Sequence, residues 1–278
     1  MRRGTLAIGV AQMPETADLG RNLREIARFV ESARRAGVAL LVFPECALTG
    51  YAPALHKSSA GFDPDAVEAA VEEVRGLARK SRLALVLGTH LPLDRGWSNS
   101  ALLIGPDGRI ATRYDKAHLY GRDVEFYLAG RAAPAVKAVR GATVGMQICF
   151  DLRFPEVSRW LALRRAELII VIAYLHGKKQ MWKRPVIEAH VRSRAAENGR
   201  FVLFANAAGP QQNAPSMIAD PRGGITAQAR RKVRELLLAR LDLGRVQDDM
   251  LRSRRTDLYE DDALRGRRTD LFEAEGAR

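Results

Sequence analysis

Cysteines, aromatic residues and long apolar runs are all scarce in this 278-residue chain, and each scarcity excludes something. Two cysteines, Cys46 and Cys149, cannot build a disulfide framework, so a reducing cytoplasm is the expected location. The five histidines (His56, His90, His118, His176 and His190) are scattered and share no zinc-ligand spacing with either cysteine, and neither a metal nor an organic cofactor is expected. No apolar run reaches the ~18–20 residues that a bilayer-spanning helix needs. The opening MRRGTLAIGVAQMPE is basic and then apolar, as secretion signals are. Its apolar part is short, however, carries Gln12, and ends in Met-Pro-Glu rather than at small residues, so it reads as a first β-strand. Aromatics are 6% of the chain, thin for stacking on single-stranded nucleic acid. A formal charge of +13 makes nucleic acid or a membrane surface a partner to weigh, but the arginines are spread among acids along the whole chain. The charge therefore reads as a solvated surface, and neither partner is expected.

What is present is an alternation of short β-branched runs with amphipathic helical stretches. Strands are expected at Thr5–Gln12, Ala39–Glu45, Leu83–His90, the ATVGMQIC run, ELIIVIAY and FVLFANAAG. Helices are expected from an Asp18 N-cap to about Arg35, from Pro64 to Lys80, from Pro155 to Arg165, and from Trp182 to Asn198. Gly105-Pro-Asp-Gly108 between two apolar runs signals a hairpin, and two later runs, PSMIADPRGGITAQA and ELLLARLDL, add strands. ELIIVIAY is apolar on both faces and belongs at the centre of a sheet. The pattern predicts a layered α/β fold. No Pro/Gly/Ser linker divides it, so residues 1–250 form one domain. Residues 251–278 form a tail, in which RRTDLYE at Arg254 recurs as RRTDLFE at Arg267, expected to pack on the domain or a neighbouring subunit.

Three ionisable residues stand at strand ends. Cys149 closes an apolar strand just before a helix, the kind of junction where open α/β sheets bind ligands. A thiol there needs a group to take its proton. Glu45 follows LLVFP; a carboxylate at the end of a buried strand has its pKa raised and becomes a competent base. Lys116, in RYDKAHLYG, would supply a fixed positive charge. Each of the three also has an ordinary structural reading, and the spacing alone does not bring them together.

In order along the chain, LLVFPECALTGY, YDKAHLYG and MQICFDLRFPE resemble the three signature segments of the nitrilase superfamily of carbon–nitrogen hydrolases. RSRAAENGRFVLFANAAG, PSMIADPRGG and ELLLARLDL resemble the segments that follow, so the likeness spans nearly the whole chain. The resemblance implies a four-layer αββα sandwich that pairs into an extended αββα-αββα dimer. It implies Glu45 as general base, Lys116 as oxyanion stabiliser, Cys149 as nucleophile, and the Phe150 backbone N–H as a second oxyanion donor. Many members carry a further glutamate before a glycine that follows the lysine motif, and Glu125, five residues before Gly130, matches it. Cys46 is assigned to packing, on the opposite side of the strand from Glu45.

Amidases, nitrilases and carbamoylases share this catalytic set. Cys149-Phe150-Asp151 departs from the Cys-Trp-Glu usual in dedicated nitrilases, and CFDLRFPE is closer to the small-amide and ω-amidase-like pattern. The expected reaction is hydrolysis of a linear amide through a cysteine thioester, with short amides turning over fastest. A carbamoyl hydrolase or nitrilase with the same set is the alternative. An acyltransferase and an inactive basic binding protein stand further off. Arg153 is a candidate grip for a substrate carboxylate, or else an internal ion pair with Asp151 or Glu156. Tyr51 and Tyr174 are further candidate substrate contacts, and His176–Pro185, with four cations, is expected at the pocket mouth.

Overall fold

A computed structural model describes residues 4–177 and 181–256. Its strands, in chain order, are β1 (Thr5–Gln12), β2 (Leu40–Val42), β3 (Ala84–Pro92), β4 (Trp97–Ile104), β5 (Ile110–Asp115), β6 (Val136–Val139), β7 (Ala142–Ile148), β8 (Leu168–Ala173), β9 (Phe201–Asn206), β10 (Met217–Ala219), β11 (Ile225–Gln228) and β12 (Glu235–Asp242). The helices are α1 (Leu19–Arg35), α2 (Ala52–Leu55), α3 (Pro64–Ser81), α4 (Pro155–Leu163), α5 (Lys183–Ala196) and α6 (Asp249–Arg252). One sheet runs β12-β1-β2-β3-β4-β5 and the other β11-β10-β9-β8-β7-β6. In each, three parallel strands (β1, β2, β3 and β7, β8, β9) are flanked by antiparallel ones.

The period-two alternation of strand side chains makes the layers. In β8, Leu168, Ile170 and Ile172 enter a core shared by the two sheets, while Ile169, Val171 and Ala173 enter a second core under α4 and α5. In β3, Ala84 and Val86 face the shared core, and Leu85 and Leu87 face a third core under α1 and α3. Sheet packs on sheet, and a helix pair covers each outer face: the αββα sandwich of the nitrilase type. Burying one such Leu or Ile contributes about 1.5–3 kcal/mol. Helix α1 starts where Asp18 accepts the Arg21 N–H at 2.8 Å, and buries Ile26, Phe29, Val30 and Ala33. Among the described residues, no helix is long and apolar enough to cross a membrane.

Two expectations change. The strand expected over Ala39–Glu45 is only Leu40–Val42. Pro44 cannot donate to a ladder, so Glu45 and Cys46 lie in the turn beyond it, with Cys46 in the left-handed region at φ 53. Cys46 is buried, as a packing residue should be, but a turn rather than strand alternation turns it away from the site. The tail from residue 257 on, with most of both repeat copies, lies outside the described residues.

Gly88 lets that turn exist. A Cβ on Gly88 would stand 2.1 Å from Pro44 O, 2.6 Å from Cys46 N and 2.9 Å from Glu45 Cα. Gly130 plays the same part at the end of β5, where a Cβ would stand 2.2 Å from Asp115 O. Gly76, within α3, has nothing within 4 Å. Gly88→Ala is therefore expected to destabilise by about 1–3 kcal/mol in denaturant titration. Gly76→Ala should instead stabilise by roughly 0.5–1 kcal/mol, because only helix propensity changes there. Equal responses at the two positions would show that the Pro44–Cys46 turn is not held by contact with β3.

Candidate active site

The two sheets deliver their functional side chains to one end of the sandwich. Glu45 leaves the turn after β2 and is fully buried. Its Oε1 accepts from Lys116 Nζ at 2.8 Å and from Asn99 Nδ2 at 2.8 Å, and its Oε2 accepts the backbone N–H of Tyr174 at 2.8 Å. Asn99 lies in β4, Lys116 follows β5, and Tyr174 follows β8, so one carboxylate ties together the ends of strands from both sheets.

Lys116 is 1% exposed and has a second carboxylate, Asp123 Oδ2, at 2.7 Å. Asp123 in turn accepts from Tyr51 OH at 2.6 Å and from the Tyr120 N–H at 3.0 Å. Glu125 is not that carboxylate. It is half-exposed and ion-paired to Arg122 at 2.9 Å. The segment Gly121–Glu125 is a single 3-10 helical stretch, and in it Asp123 turns inward while Glu125, two residues on, points to solvent. The sequence signal was an acid seven residues after the lysine, on a segment short enough to fold back on it.

Cys149 opens another 3-10 stretch, Cys149–Arg153, directly after β7. Its φ of 49° puts it in the left-handed region, which sharply turns the chain and presents the thiol. Asp151 holds this turn. Its Oδ2 accepts the Ile148 N–H and Tyr114 OH, both at 2.9 Å. Its Oδ1 accepts the His118 N–H at 3.1 Å and lies 2.7 Å from His118 Nδ1. Arg194 braces the turn from α5, donating to Leu152 O and Arg153 O at 3.2 Å each. Neither Asp151 nor Arg194 stood out in the sequence, because nothing local distinguishes a bracing acid or arginine from a surface one.

The electrostatics define a resting state. Burial raises the Glu45 carboxyl above its ordinary pKa; Lys116 pulls it back and Asp123 adds to the rise. Burial, then the charge of Glu45, pushes the Cys149 thiol well up against the pull of Lys116. Burial works against charge on Lys116, but Glu45, Cys149 and Asp123 outweigh it and raise its pKa. The cluster therefore rests near neutrality with a protonated thiol and an ammonium. It is not a preformed thiolate.

A cavity of about 500 Å³ opens over Cys149 and Lys116, bordered by Tyr51, Phe150, Arg153 and Tyr174 among others. The Tyr51 and Tyr174 rings stack at 4.7 Å, and Tyr174 stacks on His176 at 4.3 Å. Arg153 forms no ion pair with Asp151, which is engaged elsewhere, or with the exposed Glu156. Its Nη1 lies 3.1 Å from His190 Nε2. Burial, Arg194 and Arg153 lower the His190 pKa, so the guanidinium meets a neutral ring. Of the expected pocket-mouth segment, His176, Trp182 and Lys183 border the cavity, while residues 178–180 lie outside the described residues. Among the described residues no cluster of three or more His, Cys, Asp or Glu could hold a metal.

A buried carboxylate on a fixed cation that shares a cavity with a cysteine, set on an αββα frame, fits thiol-dependent hydrolases of the nitrilase type. The profile of the family described as "Carbon-nitrogen hydrolase" matches residues 7–249, and the chain belongs to that family. It is 32% identical to the "Nitrilase and fragile histidine triad fusion protein NitFhit" of Caenorhabditis elegans, over 93% of this chain but only 63% of that longer protein. It is also 32% identical to an "(R)-stereoselective amidase" of Pseudomonas sp., covering 78% of this chain and 79% of the relative. Among solved structures, a variant of the amidase from Nesterenkonia sp. AN1 superposes with a TM-score of 0.82 at 27% identity, over 94% of this chain and 97% of its own. That structure carries the acetamide moiety of fluoroacetamide covalently added at its active-site cysteine.

The resting state predicts a pH signature. Alkylation of Cys149 by a haloacetamide needs Glu45 ionised to take the thiol proton. The rate should therefore fall as pH drops through the Glu45 pKa, at a pH above the ordinary carboxylate value of about 4.3. In Glu45→Gln that acid limb should vanish, leaving a rate that climbs only at alkaline pH as the thiol itself ionises. Mass spectrometry of the labelled peptide against pH reads both. An unchanged profile in Glu45→Gln would remove Glu45 as the base.

Proposed function

We propose that this enzyme hydrolyses a small-molecule amide through a Cys149 thioester, releasing ammonia and a carboxylic acid. The observation that carries the reading is the Glu45 carboxylate, held by Lys116, Asn99 and the Tyr174 N–H, with Lys116 and Cys149 bordering one cavity. As Sγ attacks the amide carbon, the S–C bond forms, the thiol proton passes to Glu45, and the carbonyl π pair moves onto oxygen. Lys116 has three N–H donors and gives two to carboxylates, so the third is free for that oxygen at the cavity wall. The Phe150 N–H, in the first turn of its short helix, has no intrahelical acceptor and serves as the second donor. Collapse breaks the C–N bond; Glu45 returns the proton to nitrogen and ammonia leaves. Water then gives a proton to Glu45 and its oxygen to the carbonyl carbon. The C–S bond breaks and sulfur recovers its proton.

Asp123 touches Lys116 and the Tyr51 hydroxyl, so it is a positioning residue that fixes the ammonium. One observation favours a narrower substrate. Arg153 borders the cavity with no acidic partner among the described residues, which suits an amide or N-carbamoyl compound that also bears a carboxylate. The acetamide moiety of fluoroacetamide on the cysteine of the Nesterenkonia amidase supports a nucleophilic sulfur at this place in the fold, since the S–C bond to that moiety forms as fluoride leaves.

Ammonia release from a panel of aliphatic amides, ω-amides of dicarboxylates, N-carbamoyl amino acids and nitriles tests the reading. Amides are expected to react and Cys149→Ala to be inactive. Lys116→Met should lower kcat by about 10²–10³-fold, the usual loss for an oxyanion donor. Asp123→Asn should lower it by less, and Glu125→Gln should leave it unchanged. Turnover of nitriles alone would refute the amide assignment. Loss of activity in Glu125→Gln with none in Asp123→Asn would reverse the carboxylate assignment.

A further inference from the structure

The cavity over Cys149 is larger than a short amide needs. Its volume is about 500 Å³. Four heavy atoms, at roughly the ~30 Å³ that one water takes in the liquid, fill only about 100 Å³. Cavities of roughly 300–1,000 Å³ ordinarily hold larger ligands. Besides Cys149 and Lys116, the wall of this cavity includes Pro53, Ala54, Tyr120, Trp182, Ile187 and Pro210, with Arg122, Arg153 and Lys183 also bordering it.

Two of these residues expose large rings. Trp182 is 57% exposed and Tyr120 43% exposed. Single exposed apolar side chains are ordinary, but two rings bordering one cavity form a surface that a ligand covers. The Lys183 ammonium ties them together, lying 4.7 Å from the Tyr120 ring centroid and 5.9 Å from that of Trp182. It also donates to Tyr120 OH at 3.3 Å. On the inner side, the Phe150 ring meets Tyr120 at 4.8 Å, so aromatic wall runs unbroken from the residue beside the nucleophile to the rim.

We infer that the amide hydrolysed here carries a ring-sized apolar group, which packs against Tyr120 and Trp182 at the mouth while its carboxamide carbon reaches Cys149. This rests on the amidase reading above and departs from the short amides expected from the sequence motifs. Trp182 is then a specificity-determining residue, acting on binding of the group remote from the scissile bond.

The test compares 3-phenylpropionamide with propionamide, which differ only by the ring. In Cys149→Ala, which cannot form a thioester, calorimetry should show the phenyl compound binding about 10- to 100-fold tighter, the scale set by burying a Phe-sized group. In the native enzyme, the ratio of kcat/KM for the two amides should favour the ring by a similar factor. Trp182→Ala should shrink that ratio about tenfold, and Trp182→Phe should restore most of it. If Cys149→Ala fails to fold by circular dichroism, the native ratio decides alone. Equal binding and equal kcat/KM, or a ratio indifferent to Trp182, overturns the inference. Ammonia release without ring selectivity sinks the ring subsite and leaves the amidase reading standing. Ring-selective binding with no ammonia from any amide does the reverse.

Discussion

The site depends on one buried ammonium between two buried carboxylates. Lys116 is 1% exposed, Glu45 and Asp123 are fully buried, and both oxygens lie within 2.8 Å of Nζ. Desolvating three such groups is expensive, and only their mutual contact offsets it. Removing one member of a buried charge pair typically destabilises by about 3–5 kcal/mol, because the others are left uncompensated. Here the cation could not leave without setting two like charges against each other. The arrangement therefore fixes the geometry of the Glu45 carboxylate. The cysteine rests as a thiol because burial and then the charge of Glu45 outweigh the pull of the cation.

The strands hold this cluster by bringing backbone unusually close to backbone. Glu45 stands on a turn that crosses β3 at Gly88, and Lys116 leaves β5 where Gly130 N–H donates to Lys116 O at 2.8 Å. Cys149 and Cys46 both adopt left-handed backbone, one presenting its sulfur to the cavity and the other burying it beside Asn99 and Tyr127. The two cysteines thus differ through their turns. Positioning is a property of tightly packed main chain, which is why side chains from both sheets can meet with hydrogen-bond precision.

Much of this was legible in the sequence, and the parts that were not share a cause. Long periodic segments such as α1 and α3, and strands apolar on both faces such as β8, declare themselves because burial imposes a 3.6- or 2-residue period on them. Glu45, Lys116 and Cys149 drew notice as ionisable residues at the ends of apolar runs, but only the resemblance to three signature segments gave them roles. Glu125 was read for Asp123 because a loop has no period, so spacing to a glycine could not say which acid turns inward. Asp151 and Arg194 were invisible for a related reason: each acts on backbone groups, which every sequence contains. The short β2 was overread because Pro44 continues the apolar run after Phe43 but cannot donate to the ladder.

Glu15 shows that residue type alone does not make a base. Its carboxyl oxygens are buried, as those of Glu45 are, and burial together with the charge of Glu45 pushes its pKa well up. Unlike Glu45, it meets no cation and no side-chain donor among the described residues. A carboxyl in that setting keeps its proton, whereas one tied to Lys116, Asn99 and a backbone N–H can give it up. The two glutamates thus differ in what surrounds them, which is how environment separates identical groups.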